Sequence, residues 1–220
     1  MESHVLNCAP ESDCAQCPRL VAFRETNRAA FPDWHNAPVA TFCPTSDDPP
    51  VKLLIVGLAP GLRGANRTSR PFTGDYAGDL LYATLGKFGL SRGTYDARPD
   101  DGLDLVGCQI TNSVRCVPPQ NKPVGAEIAA CRPFLANTIK ALPDLRAILA
   151  LGTIAHGTVL SALKLRKAIY PFGHGAIHTL PDGIFFADSY HCSRYNTNTR
   201  RLTTEMFESV FEKLAELIAD

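Results

Sequence analysis

Cysteines are the first residues in this chain that could do chemistry: Cys8, Cys14, Cys17, Cys43, Cys108, Cys116, Cys131 and Cys192. Among them Cys14-Ala15-Gln16-Cys17 has chelating spacing, because two intervening residues let both sulfurs reach one metal centre. Cys116 and Cys131 stand 15 positions apart, the first leaving a strand-like segment and the second inside a helical one. Four thiolates from two separated places would make a closed site for zinc or an iron–sulfur cluster. Spacing alone leaves the partners of Cys14 and Cys17 open. Cys108, within the apolar stretch 106–110, reads instead as a small buried residue.

Three further segments are dense in groups that bind ligands or move protons. Gly57-Leu58-Ala59-Pro60-Gly61-Leu62-Arg63-Gly64-Ala65-Asn66-Arg67 is glycine-rich. It is neither a GxGxxG turn opening a helix nor a phosphate loop ending in Gly-Lys-Ser/Thr. Its glycines would let backbone N–H groups approach a ligand closely. Next comes Arg70-Pro71-Phe72-Thr73-Gly74-Asp75. Asp75 precedes a helix, where an acid also serves as an N-cap or first-turn residue, and Phe72 would suit a core equally well. The segment His191-Cys192-Ser193-Arg194-Tyr195-Asn196-Thr197-Asn198-Thr199 is crowded with hydrogen-bonding side chains. A single loop histidine is by type usually unremarkable.

These segments need elements to position them. Residues 51–57 are β-branched and apolar between Pro49-Pro50 and Ala59-Pro60-Gly61, the pattern of a buried parallel strand. Residues 106–113, 146–151 and 183–188 read as three more strands. Helical spacing marks 79–90, 124–142, 154–163 and 202–218, the last with a stripe of Met206, Val210, Leu214 and Leu217. Strands alternating with helices predict an α/β fold, a single domain with a central four-stranded parallel sheet flanked by helices. The first fifty residues, rich in Pro and polar side chains, read as an irregular or partly helical arm carrying the CxxC. Ligands in such sheets bind outside the carboxyl ends of the strands. The loops 57–79, 111–119 and 189–199 therefore converge on one rim.

At 220 residues the chain can bury a proper core, and 20% charged with 45% hydrophobic residues excludes a disordered or fibrous chain. The longest clear apolar run, 147–151, is too short for a membrane span, and no secretory signal is evident near Glu2, Glu11 and Asp13. The expectation is a cytoplasmic protein, whose thiols stay reduced, with no membrane partner. Twenty-two basic against 22 acidic residues give no global field for phosphates. That sum hides two stretches without acids, one with Arg63, Arg67 and Arg70, the other with Arg194, Arg200 and Arg201. Acids gather at Asp47-Asp48 and at Asp96, Asp100, Asp101 and Asp104.

Together the Gly57 loop, Asn112-Ser113-Val114-Arg115-Cys116-Val117-Pro118-Pro119 and the His191 loop resemble the uracil-DNA glycosylase superfamily. Gly57-Leu58-Ala59-Pro60, Asn66-Arg67-Thr68, Phe72-Thr73-Gly74-Asp75 and Asn196-Thr197-Asn198-Thr199 are most similar to its family 5, or type B. The resemblance covers nearly the whole chain. It implies a monofunctional DNA-repair enzyme that flips uracil from the duplex and hydrolyses its N-glycosidic bond, leaving an abasic site. Hypoxanthine and xanthine would be further substrates. By the same resemblance Phe72 would stack on the flipped base beside Gly57, and Asn112 would read its Watson–Crick edge. His191 would hydrogen-bond the uracil O2 and stabilise the leaving anion, with backbone amides of 58–64 assisting. Asp75 would orient the attacking water and stabilise the cationic sugar. Arg67, Arg194, Asn196 and Asn198 would hold the DNA. Cys14, Cys17, Cys116 and Cys131 match the places of four cysteines that bind a structural 4Fe-4S cluster in the related family 4.

Two positions depart from relatives. Leu58 stands where family 4 has Glu, as in family 5, which throws activation of water onto Asp75. Cys192 stands where Pro usually follows the His, removing a fixed φ from that loop. The competing reading is a noncatalytic metal-bound nucleic-acid-binding module on the same fold. A monomer is expected, since one flipped nucleotide needs no second subunit.

Overall fold

The computed structural model describes residues 8–46 and 49–219. Glu2 and the Asp47-Asp48 pair lie outside the described residues. The chain runs α1 (Pro18–Ala30), β1 (Leu53–Gly57), α2 (Ala65–Thr68), α3 (Tyr76–Lys87), β2 (Ser91–Arg92), β3 (Asp104–Leu105) and β4 (Cys108–Asn112). It continues through α4 (Gly125–Lys140), β5 (Ala147–Leu151), α5 (Thr153–Ala162), β6 (Ile177–Thr179), β7 (Phe185–Ser189), α6 (Arg194–Asn198) and α7 (Thr204–Ile218).

The four predicted strands are β1, β4, β5 and β7, and they pair in parallel in the order β4-β1-β5-β7. Every residue of β1 and β5 is buried, as near-continuous apolar strands covered on both faces must be. The expected four-stranded sheet is the centre of a five-stranded one. The extra strand, β6, pairs antiparallel at the edge beside β7. Three residues with partly exposed side chains carry too little alternation to be seen in sequence.

One face of the sheet buries Leu81 and Leu85 of α3 with Phe207, Val210, Phe211 and Leu214 of α7. The other buries Leu135 and Ile139 of α4 with Ala155, Val159 and Leu160 of α5. Each fully buried side chain of this kind contributes roughly 1.5–3 kcal/mol. A third cluster of Leu20, Val114, Cys131 and Phe134 seats α1 of the arm on α4 and on the loop after β4. Chain direction across the sheet reverses at β1, whose neighbours are β4 and β5, so the crevice for a ligand opens at its carboxyl end. Register there is exact enough to matter chemically: Gly57 pairs with Asn112, and Leu151 with Ser189, which brings the three predicted loops to one rim.

Candidate active site

Gly57 is glycine because there is no room for anything else. A Cβ at this position would collide with Asn112 Oδ1 and sit 2.6 Å from Phe72 Cζ. Asn112 is almost fully buried at the end of β4. Hydrogen bonds from Ser113 N to Gly57 O (2.9 Å) and from Val114 N to Leu58 O (3.0 Å) zip the two loops together. Phe72 is buried and its ring faces that of His191, with centroids 5.8 Å apart and planes at 28°. Gly57, Phe72, Asn112 and His191 thus lie side by side, the first three buried and only His191 of the four lining the adjoining cleft.

Asp75 stands at the N-cap position of α3 yet makes no side-chain capping hydrogen bond. Its carboxylate lies against the Gly57–Arg67 loop instead. A Cβ on Gly61 would be 2.8 Å from Asp75 Oδ2, and one on Gly64 would overlap it. Asp75 Oδ1 is buried and has no hydrogen-bond partner among the described residues. Burial pushes the Asp75 carboxyl above its ordinary value; the amides of Gly78 and Ala77 oppose this, and the Asp79 charge adds to it. An unpaired buried carboxylate oxygen is costly unless something polar occupies the space before it.

His191 follows β7 and is half-buried overall, with Nδ1 enclosed and without a partner. Burial alone lowers its pKa from 6.5 to about 4, so the ring is neutral near pH 7. Asn196 Nδ2 donates to His191 O at 2.8 Å, and Tyr190 N donates to His174 Nδ1 at 3.1 Å. The peptides on both sides of the ring are therefore fixed. Cys192 is fully buried, its thiol pushed far up by burial first and by the Asp75 charge second.

Asp75 and His191 face a cleft of about 510 Å³, also lined by Leu58, Ala59, Gly61 and Asn121. Tyr76, Ser193 and Arg194 complete its outer rim. Asn121 was not singled out from sequence. It has φ +56° in the turn at Pro119–Asn121, and the Pro-Pro-Gln-Asn run was its only signal.

The groups expected to hold DNA divide. Arg67 and Arg194 are exposed at the rim; Arg67 Nε donates to Arg63 O at 2.9 Å, and Arg194 lies 5.9 Å above the Tyr76 ring. Asn198 is exposed at the end of α6. Asn196 spends its amide on His191 O, so its visible work is internal. The Gly64 N–H likewise goes to Gly61 O within its own loop, so it is not free to assist a leaving group. Arg70 departs from its reading as a rim charge: it is 5% exposed and forms a bidentate pair with Asp101. An unpaired guanidinium could not be buried at acceptable cost, so the acidic stretch supplies its partner.

Cys14, Cys17, Cys116 and Cys131 line one enclosed void with Leu20, Arg24, Val114 and Phe134. Burial first, then the neighbouring thiols, raises Cys116 to about 12, and Cys17 and Cys131 also shift up. Among the described residues no group of three His, Cys, Asp or Glu closes on a single ion. Four thiols lining one small void are soft donors of the kind that zinc or an iron–sulfur cluster takes. Arg24, 4% exposed, lines the void; its Nη1 donates to Cys14 O at 3.1 Å, and its Nε makes no hydrogen bond but lies 3.8 Å from Glu25 Oε1. The Arg115 N–H donates to Cys131 Sγ at 3.3 Å, joining the void to the Asn112 loop. Cys108 is buried among apolar side chains, away from that void.

The family model of the Uracil DNA glycosylase superfamily matches residues 44–215. A Type-5 uracil-DNA glycosylase of Thermus thermophilus is 45% identical over 210 residues, covering 93% of each chain. One of Mycobacterium tuberculosis is 40% identical over 214 residues, 94% of this chain and 78% of the relative. A third, of Pyrobaculum aerophilum, is 37% identical over 207 residues, 92% and 88% of the two chains. With the loops, the cleft and these similarities in agreement, the chain belongs to the uracil-DNA glycosylase superfamily.

Proposed function

We propose that this chain is a monofunctional uracil-DNA glycosylase of DNA repair, hydrolysing the bond between C1′ of deoxyribose and N1 of uracil. One observation carries the reading: Asp75, with a buried unpaired Oδ1, faces the same cleft as an enclosed neutral His191. As the C1′–N1 bond breaks, its electron pair moves onto the base and C1′ becomes cationic. A neutral imidazole N–H can hydrogen-bond the uracil O2 as charge develops there, without the cost of burying a cation. The Asp75 carboxylate stabilises the cationic sugar and takes up the proton of the water that adds to C1′. Phe72 stacks on the flipped base, a contact worth about 1–3 kcal/mol, while Asn112 pairs with its edge beside Gly57. Arg67 and Arg194 hold backbone phosphates, and Asn198 stands where it can join them. A noncatalytic nucleic-acid binder would have no use for the buried, unpaired carboxylate.

Cys14, Cys17, Cys116 and Cys131 would hold a 4Fe-4S cluster, which would supply a structural tie between the arm, the Asn112 loop and α4 and would take no part in the chemical step. The same cleft would admit hypoxanthine and xanthine, and the protein acts as a monomer in the cytosol. Among the described residues no helix is long and apolar enough to cross a membrane. The test is a labelled uracil-containing oligonucleotide incubated with the protein and then with alkali. Alkali-dependent strand cleavage is expected; its absence with uracil, hypoxanthine and xanthine alike overturns the enzyme reading.

A further inference from the structure

The loop bearing Phe72 is gripped in part by two tyrosines, Tyr82 and Tyr95, that lie outside every motif described above. Phe72 has φ +53°, a left-handed conformation that a bulky side chain keeps only when its surroundings impose it. Tyr95 Oη donates to Phe72 O at 3.2 Å and accepts from Gly74 N at 3.4 Å. Neighbouring carbonyls have their own donors: Tyr82 Oη on Pro71 O at 2.6 Å and Thr68 Oγ1 on Thr73 O at 3.0 Å. Gly78, in the first turn of α3, makes room for the Tyr95 bond, since a Cβ there would collide with both Phe72 O and Tyr95 Oη. Tyr95 is set in turn by Arg70, whose guanidinium lies 5.8 Å from its ring and is locked to Asp101. Asp101 also accepts the Asp96 and Leu103 N–H groups, which closes the loop that presents Tyr95.

We propose that Tyr95 is a positioning residue for base excision: its hydroxyl holds Phe72 in the left-handed conformation and thereby sets the ring against the flipped base. This rests on the reading that Phe72 stacks on that base. Tyr82 and Thr68 anchor the residues on either side, and Tyr95 alone among the described side chains binds the Phe72 carbonyl. Tyr95→Phe removes this hydroxyl while keeping the ring that packs 4.6 Å from Tyr82.

The experiment measures single-turnover excision at saturating enzyme, burst amplitude, and affinity for DNA carrying an abasic-site analogue. For Tyr95→Phe the excision rate constant falls about tenfold or more, as misplacement of a contact group does. Amplitude and abasic-DNA affinity, which do not involve the base, stay at wild-type values. In a Phe72→Ala background the same change costs nothing further, because the residue acts through Phe72. An unchanged rate constant overturns the proposal. So does a loss of amplitude at constant rate, which marks a purely structural role, or full additivity with Phe72→Ala. A wild type inert on uracil, hypoxanthine and xanthine alike overturns the glycosylase reading and the proposal with it, whereas an active wild type with a full-rate Tyr95→Phe overturns the proposal alone.

Discussion

Titration of His191 exposes whether the site works with a neutral imidazole. Burial moves its pKa from 6.5 to about 4, with no compensating charge partner among the causes. That gap corresponds to about 3 kcal/mol in favour of the neutral ring. The folded-state pKa lies below the unfolded one, so the unfolded chain binds the proton more readily. The contribution to stability is complete above about pH 6.5 and is lost as the pH falls toward about 4. Between about pH 8 and about pH 5.5 the loss attributable to this ring is about 1.4 kcal/mol. Urea unfolding of wild type and His191→Gln at both pH values isolates it, because every other titrating group is common to the two proteins. That includes His174, whose burial also lowers its pKa. Wild type should lose about 1.4 kcal/mol more than His191→Gln over this interval. The His191 Cε1 proton should likewise show no NMR titration near pH 6.5. Equal pH dependence of the two proteins, or a midpoint close to 6.5, would refute the burial argument and with it the neutral hydrogen-bond donor.

Asp75→Ala should lower excision at saturating enzyme by about 10²–10⁴-fold, measured in single turnover, with DNA binding preserved; near-wild-type excision would remove Asp75 from the mechanism. Cys116→Ser should lose the brown colour of an anaerobically purified protein and unfold at lower temperature, with chemistry failing only after the fold. A colourless wild type containing zinc would contradict the cluster. Arg194→Ala should weaken DNA binding evenly across sequences and reduce the salt slope of log K by about 1, read from titrations at several salt concentrations.

Much of this site was readable along the chain because its parts follow strands. The end of an apolar run marks both a buried strand and the place where its loop must begin, which is why the loops after β1, β4 and β7 were found with their chemistry attached. The CxxC was readable as a chelating pair for a similar reason, since chelation restricts spacing, whereas Cys116 and Cys131 were tied to it only by the family resemblance. Less was available for β6, where three residues carry no pattern, and for Asn121, whose left-handed turn reveals nothing about the cleft it enters.

What the sequence determined by itself is therefore local and periodic: four strands, the helices between them, and the residue types crowded at their carboxyl ends. Charge could not be read this way. A neutral total allowed two basic rim loops, yet Arg70 turned inward to meet Asp101, 31 positions away, while Arg67 and Arg194 stayed exposed. Tertiary structure alone decided that Asp75 keeps an oxygen unpaired, and that His191 has its Nδ1 enclosed and its pKa lowered by burial. The reason is physical: periodicity records which face of an element is buried, whereas a pKa or an unpaired oxygen depends on atoms brought close from distant parts of the chain.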